Sequence, residues 1–185
     1  MACAHSSLNP RSVARYTTIL AGLINSVLGD RLMAKKKVYY SFYYDEDASR
    51  VQQVINMGIV EGQQMLSGQK WEEVRKKGDK AVENWIATEM NGKDCLVVLI
   101  GTNTSKRPWV TYEIKKAWAD GLGVIGIRIH GLKDLATQKT SARGDSPFSD
   151  MITPYDPPGA DSKAVYASIS NNIETLVANA KRKPR

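Results

Sequence analysis

Few side chains in this chain could do chemistry, and they fall in three places. Glu113 follows Trp109 by four residues, so on a helix the two lie one above the other. Tyr43-Tyr44-Asp45-Glu46-Asp47 is an aromatic and acidic run, preceded by Phe42. Trp71 stands alone between polar neighbours. His5, His130, Cys3 and Cys95 are the only histidines and cysteines, which excludes a thiol-rich site and argues against zinc. Cys95 opens an apolar run and reads as a small core filler. His130 is too isolated to be a ligand. A lone carboxylate with no metal or nucleophile is poorly equipped for ordinary glycoside hydrolysis, which generally uses two. It suits a substrate whose leaving group is already activated. The protein then need only hold the sugar and stabilise the oxocarbenium-like charge that develops.

A scaffold for these groups is visible in the periodicity. Cys95 to Ile100 is continuously apolar and reads as a strand buried on both faces. A polar loop, Thr102 to Arg107, follows it, and Pro108 suits the first turn of a helix. That helix turns Val110, Ile114, Ala117 and Trp118 toward the core. Val38 to Tyr43 reads as a first strand, with Asp45 or Asp47 capping the helix after it. Val51, Val54, Ile55, Gly58 and Ile59 form that helix's buried stripe. Glu61 to Lys70 reads as loop, with a short strand around Gln64–Leu66. Trp71 to Met90 is expected to be largely helical and to stop at Asn91-Gly92. Val124 to Ile129 is another strand, and 130–161 is irregular, either a functional loop or a poorly ordered one. Asp161 or Ser162 caps a last helix with Val165, Ile169, Ile173, Leu176 and Val177 inward. Strands alternating with helices predict an α/β fold, a parallel sheet with helices on both faces.

The net charge of +7 is suggestive of nucleic acid, but its distribution argues otherwise. Arg11, Arg15 and Arg31 lie in the first 32 residues, and Lys181, Arg182, Lys183 and Arg185 in the last five. The body between is nearly neutral, so no basic stripe tracks a backbone. The basic tail, 181–185, reads as a solvated helix end. Residues 1–32 are expected to be a poorly ordered extension or a start-site artefact, with Met33 as the natural start of a domain over 33–180. No apolar run approaches the roughly 20 residues of a membrane span. The expected location is the cytoplasm, with no membrane or nucleic-acid partner.

A ligand of an open parallel sheet binds at the carboxyl ends of its strands. A dinucleotide site needs a glycine-rich turn after the first strand, and an FMN site needs phosphate donors there. Tyr43 to Asp47 supplies neither. A receiver domain needs an acceptor aspartate after the middle strand, where this chain has Gly101-Thr102-Asn103. What remains is a cleft with aromatics from the first loop and the Glu113 carboxylate. Nicotinamide in NAD⁺ is cationic and ready to depart, and a glutamate bonded to the ribose hydroxyls fits that reaction. Alternatives stay open at each position. Glu113 could be a first-turn residue paired with Lys116. Trp109 is a packed staple or a substrate platform, and Trp71 closes over the cleft or packs inside. Of Phe42 and Tyr44, alternating along a strand, one is core and the other lines the cleft.

Trp109-Val110-Thr111-Tyr112-Glu113 resembles the Trp-Cys-x-x-Glu signature of Toll/interleukin-1 receptor (TIR) domains, whose glutamate is catalytic in NAD-cleaving members. Ser41 to Asp47, Val98 to Gly101, Trp109 to Ile114, Gly126 to His130 and Ser146-Pro147-Phe148 together resemble the TIR-like subunit of bacterial Thoeris anti-phage systems. The likeness spans about residues 35–150. Tyr43 stands where many relatives have histidine, and Val110 where TIR domains commonly have cysteine. The resemblance implies a flavodoxin-like/TIR-like sheet and an enzyme converting NAD⁺ to a cyclic or modified ADP-ribose signal read by a separate effector. It implies self-association on activation, a phage-protein trigger, and NAD⁺ as substrate rather than cofactor, with no metal. Glu113 would be catalytic, with Phe42, Tyr43, Tyr44, Asp45, Trp71 and Trp109 around the substrate. The competing readings are a non-enzymatic adaptor and an NAD⁺ sensor without turnover.

Overall fold

Six consecutive apolar residues, Cys95–Ile100, are buried along their whole length, and the rest of the fold is laid on both sides of them. The computed structural model describes residues 35–63, 65, 68–150 and 152–184. The expectations for residues 1–32, and for Gln64 and Leu66, fall outside these. In chain order the elements are β1 (Lys37–Ser41), α1 (Tyr44–Asn56), β2 (Glu61–Gly62), α2 (Gly68–Lys76), α3 (Asp79–Met90), β3 (Cys95–Ile100), a 3-10 turn (Thr104–Lys106), α4 (Pro108–Ala119), β4 (Gly123–Arg128) and α5 (Ser162–Ala178). The sheet order is β2-β1-β3-β4, parallel throughout.

Alternation across the strands sorts the core into two layers. Val38, Tyr40, Val97, Leu99 and Ile127 face α1 and α5, where Val51, Val54, Ile169 and Ile173 cover them. Tyr39, Leu96, Val98, Ile100 and Val124 face α3 and α4, under Val82, Ile86, Val110 and Ala117. The expected α/β sheet covered on both faces is therefore the observed one.

Several boundaries differ from expectation. β1 ends at Ser41, Tyr43 is the N-cap of α1, and Tyr44 is already helical. Phe42 and Tyr44 thus do not alternate along a strand. Neither Asp45 nor Asp47 caps α1; with Glu46 they fill its first turn, where the helix's positive end favours them. α1 stops at Asn56, so Gly58, which is exposed, and Ile59 lie beyond it. The expected helix from Trp71 to Met90 is two helices, because Gly78 takes a positive φ of 91° between them. Glu61–Gly62 forms a short strand within the stretch expected to be loop. The Gln63 carboxamide extends it, accepting from the Tyr40 amide and donating to the Tyr40 carbonyl, each at 2.8 Å. Asp161 does cap α5, accepting from the Ala164 amide at 2.8 Å.

The irregular stretch from 130 to 161 is tied down. Arg50 donates to the carbonyls of Leu132 and Lys139. Tyr155 exchanges backbone hydrogen bonds with Gly126 and Arg128 along the outer edge of β4. The tail is exposed but not free: the Lys181 carbonyl accepts from Val124, and Arg182 donates to the carbonyls of Gly121 and Asp94. Among the described residues no helix is long and apolar enough to cross a membrane.

Candidate active site

Parallel strands β1 and β3 deliver their carboxyl ends side by side, and α4 crosses next to them. On α4, Val110, Glu113 and Ala117 share one stripe at helical spacing, and all three are buried. Glu113 therefore sits at a core position, in the second turn rather than the first, with its side chain against the sheet. Residues 39 and 41 of β1 project toward the same face. The Tyr39 hydroxyl donates to Glu113 Oε1 at 2.6 Å, and the Ser41 hydroxyl donates to Oε2 at 2.5 Å. The alternative pairing with Lys116 is not made; Lys116 bonds Asp120 instead.

Two opposing influences act on this carboxyl. Burial disfavours its charged form and pushes it from 4.5 up to about 7, while the Ser41 and Tyr39 hydroxyls, which stabilise the carboxylate, pull the other way. Burial and the neighbouring carboxylate push Tyr39 well above its ordinary value, so its phenol stays a donor.

Glu113 is only 7% exposed, and it borders a cleft of about 330 Å³. That volume is at the small end of ligand sites, which run roughly 300–1,000 Å³. Every expected site residue reaches this cleft: Phe42, Tyr43, Tyr44, Asp45, Trp71 and Trp109 all line it. Trp71 takes both of its open roles, lining the cleft while meeting Trp85 edge-on at 5.7 Å between centroids. Trp85 in turn lies 6.5 Å from the Tyr39 ring. Trp109 stands edge-on to Tyr112 at 5.7 Å and forms part of the wall. Phe42 and Tyr44 both line the cleft, 6.3 Å apart.

The sequence reading missed four contributors. Tyr39 and Ser41 orient the carboxylate; their signal was a pair of hydroxyls at alternate positions of a strand otherwise buried, which must find partners. Trp85, inside the stretch expected only to be helical, also lines the cleft. Arg107, at the end of the polar loop, borders the cleft with its guanidinium 3.4 Å from the centroid of the Tyr43 ring. Among the described residues, no cluster of three or more His, Cys, Asp or Glu side chains is placed to hold a metal ion. The arrangement supplies an oriented acid, aromatic faces for planar rings and two arginines, of which Arg75 is paired with Glu72.

Residues 39–134 match a family model described as Thoeris protein ThsB, TIR-like domain. Over 129 residues the chain is 33% identical to a protein of Bacillus cereus (strain MSX-D12) named "Putative cyclic ADP-D-ribose synthase ThsB1", with 67% of each chain covered. The family match contains Tyr39, Ser41, Arg107, Trp109 and Glu113.

Proposed function

Because this chain belongs to the TIR-like domain family of Thoeris ThsB proteins, we propose that it cleaves NAD⁺ and releases nicotinamide, leaving a cyclic or otherwise modified ADP-ribose. One observation carries this reading: a buried glutamate, held by two hydroxyls, forms part of the wall of an aromatic cleft at the carboxyl edge of the sheet. In the reaction the bond between ribose C1′ and the nicotinamide nitrogen breaks, and its electron pair leaves with the ring. The ribose becomes electron-poor, and the Glu113 carboxylate stabilises that charge while bonding the ribose hydroxyls. The attacking group is water or an atom of the adenosine half. Cyclisation uses the latter and requires that the dinucleotide fold back with water excluded. The apolar faces of Trp71, Trp109 and Phe42 serve both needs. The product acts as a signal for a separate effector, and copies of the chain associate when a phage component activates them.

The test is direct. Concentrated protein, alone and with lysate of phage-infected cells, is incubated with NAD⁺. Nicotinamide and a product lacking its mass are expected by chromatography and mass spectrometry. No nicotinamide under any of these conditions refutes the enzyme. In that event, calorimetric NAD⁺ binding would indicate a sensor, and its absence a scaffold.

A further inference from the structure

Of the two arginines lining the cleft, Arg75 is paired with Glu72 and Arg107 is not paired. Its guanidinium carbon lies over the face of the Tyr43 ring, 3.4 Å from the centroid. Among the described residues it forms no ion pair, and its Nε is shut off from solvent without a hydrogen-bond partner. A buried donor left unpaired costs free energy, so such groups repay an explanation. Asp45 lines the same cleft, but its carboxylate bonds the Tyr43 hydroxyl and makes no ion pair with the arginine. A guanidinium over a ring face can still turn its two terminal N–H groups outward, and that pair matches phosphate oxygens two at a time.

Position supports the same partner. Arg107 is the N-cap of α4, and Glu113 is six residues on, about 9 Å along the helix axis. NAD⁺ carries its diphosphate one ribose away from the bond that breaks. A ribose held at Glu113 therefore puts the diphosphate toward the start of α4, whose positive end adds to the attraction.

We propose that Arg107, fixed by its stack on Tyr43, is the diphosphate-binding residue of the cleft and selects dinucleotides over nicotinamide ribosides. The assignment rests on the NAD⁺ reading above and deepens it. It also gives Tyr43 a role: the ring holds the arginine rather than the substrate. A histidine there could stack as well, and a small residue could not.

The experiment measures binding and turnover separately. ADP-ribose and nicotinamide riboside are titrated by calorimetry into wild-type protein and into R107Q, with NAD⁺ cleavage followed in parallel. R107Q is expected to bind ADP-ribose at least tenfold more weakly, to bind nicotinamide riboside within twofold of wild type, and to raise KM for NAD⁺ more than it lowers kcat. Inorganic pyrophosphate is expected to compete with ADP-ribose on the wild-type protein, which keeps the test open should R107Q not fold. Unchanged ADP-ribose affinity in R107Q, equal losses for both ligands, or no competition by pyrophosphate overturns the assignment. If wild type cleaves NAD⁺ while R107Q binds ADP-ribose normally, the enzyme stands and this inference falls. If ADP-ribose binding depends on Arg107 but no nicotinamide is released, the inference stands and the enzyme falls. If wild type binds neither NAD⁺ nor ADP-ribose, both fall.

Discussion

Asp47 and Glu113 are both buried carboxylates near the carboxyl edge of the sheet, and burial raises both, Asp47 to about 6 and Glu113 to about 7. Their surroundings differ. Asp47 is 1% exposed and pairs with Arg50 at 3.2 Å through one oxygen. Its other oxygen has no partner and lies over Gly101, where an added Cβ would come within 2.0 Å of it. Arg50 continues outward to the carbonyls of Glu46, Leu132 and Lys139. Asp47 thus belongs to a clamp that joins the first turn of α1 to the loops after β3 and β4. Glu113 has both oxygens bonded by hydroxyls, no cation beside it, and the cleft on its open side. A shifted acid is therefore not by itself a catalytic candidate. Access to a cavity, and partners that orient the charge without cancelling it, separate the two.

The comparison breaks most sharply at Glu113→Gln. Nicotinamide release should fall at least about a thousandfold, about 4 kcal/mol of barrier. Stability should move the other way. A carboxyl raised on folding contributes stability below its unfolded value of 4.5 and loses it as pH climbs to about 7. Above that pH, glutamine removes a buried charge and should stabilise the fold by on the order of 2–3 kcal/mol. Urea melts at pH 8 and turnover assays check both halves, and wild-type turnover in the glutamine variant would end the assignment.

Arg50→Ala should do the reverse. It strips the clamp from three carbonyls and leaves Asp47 buried without its cation, at a cost of about 3 kcal/mol. Activity per folded molecule should stay within a few-fold of wild type. An urea midpoint unchanged from wild type would show that the pair holds nothing together.

The smallest effect sharpens the contrast. Ser41→Ala removes one of the two donors at Glu113. Turnover should drop about tenfold, about 1.4 kcal/mol. Because that donor favours the carboxylate, its loss raises the acid further. If the carboxylate is the working form, the rising limb of the pH–rate profile, near pH 7 in wild type, should move to higher pH. A limb that stays in place would mean that another group sets it.

Much of this was legible beforehand where one period dominates. Cys95 to Ile100, the stripe of α5 and the Asp161 cap follow from local pattern alone. Glu113 and Trp109 were found because a helix start after a buried strand places them at the ligand edge. The partners of Glu113 were not found, because Tyr39 and Ser41 are more than seventy residues away and reach it only through strand register. Tyr44 was misread for a related reason. Aromatics suit strands, and nothing local outweighs that preference at Tyr43 and Tyr44 except the acids that follow, which favour a helix start. The break at Gly78 was missed because the residues on both sides of it have helical periodicity.

Three of the chain's four tryptophans, Trp71, Trp85 and Trp109, border the cleft, while Trp118 is half-buried against the core elsewhere. The pocket consequently carries its own optical reporter. Emission from these indoles should dim or shift when a nucleotide enters, so occupancy can be followed in the unlabelled chain, in real time, before any bond is cut.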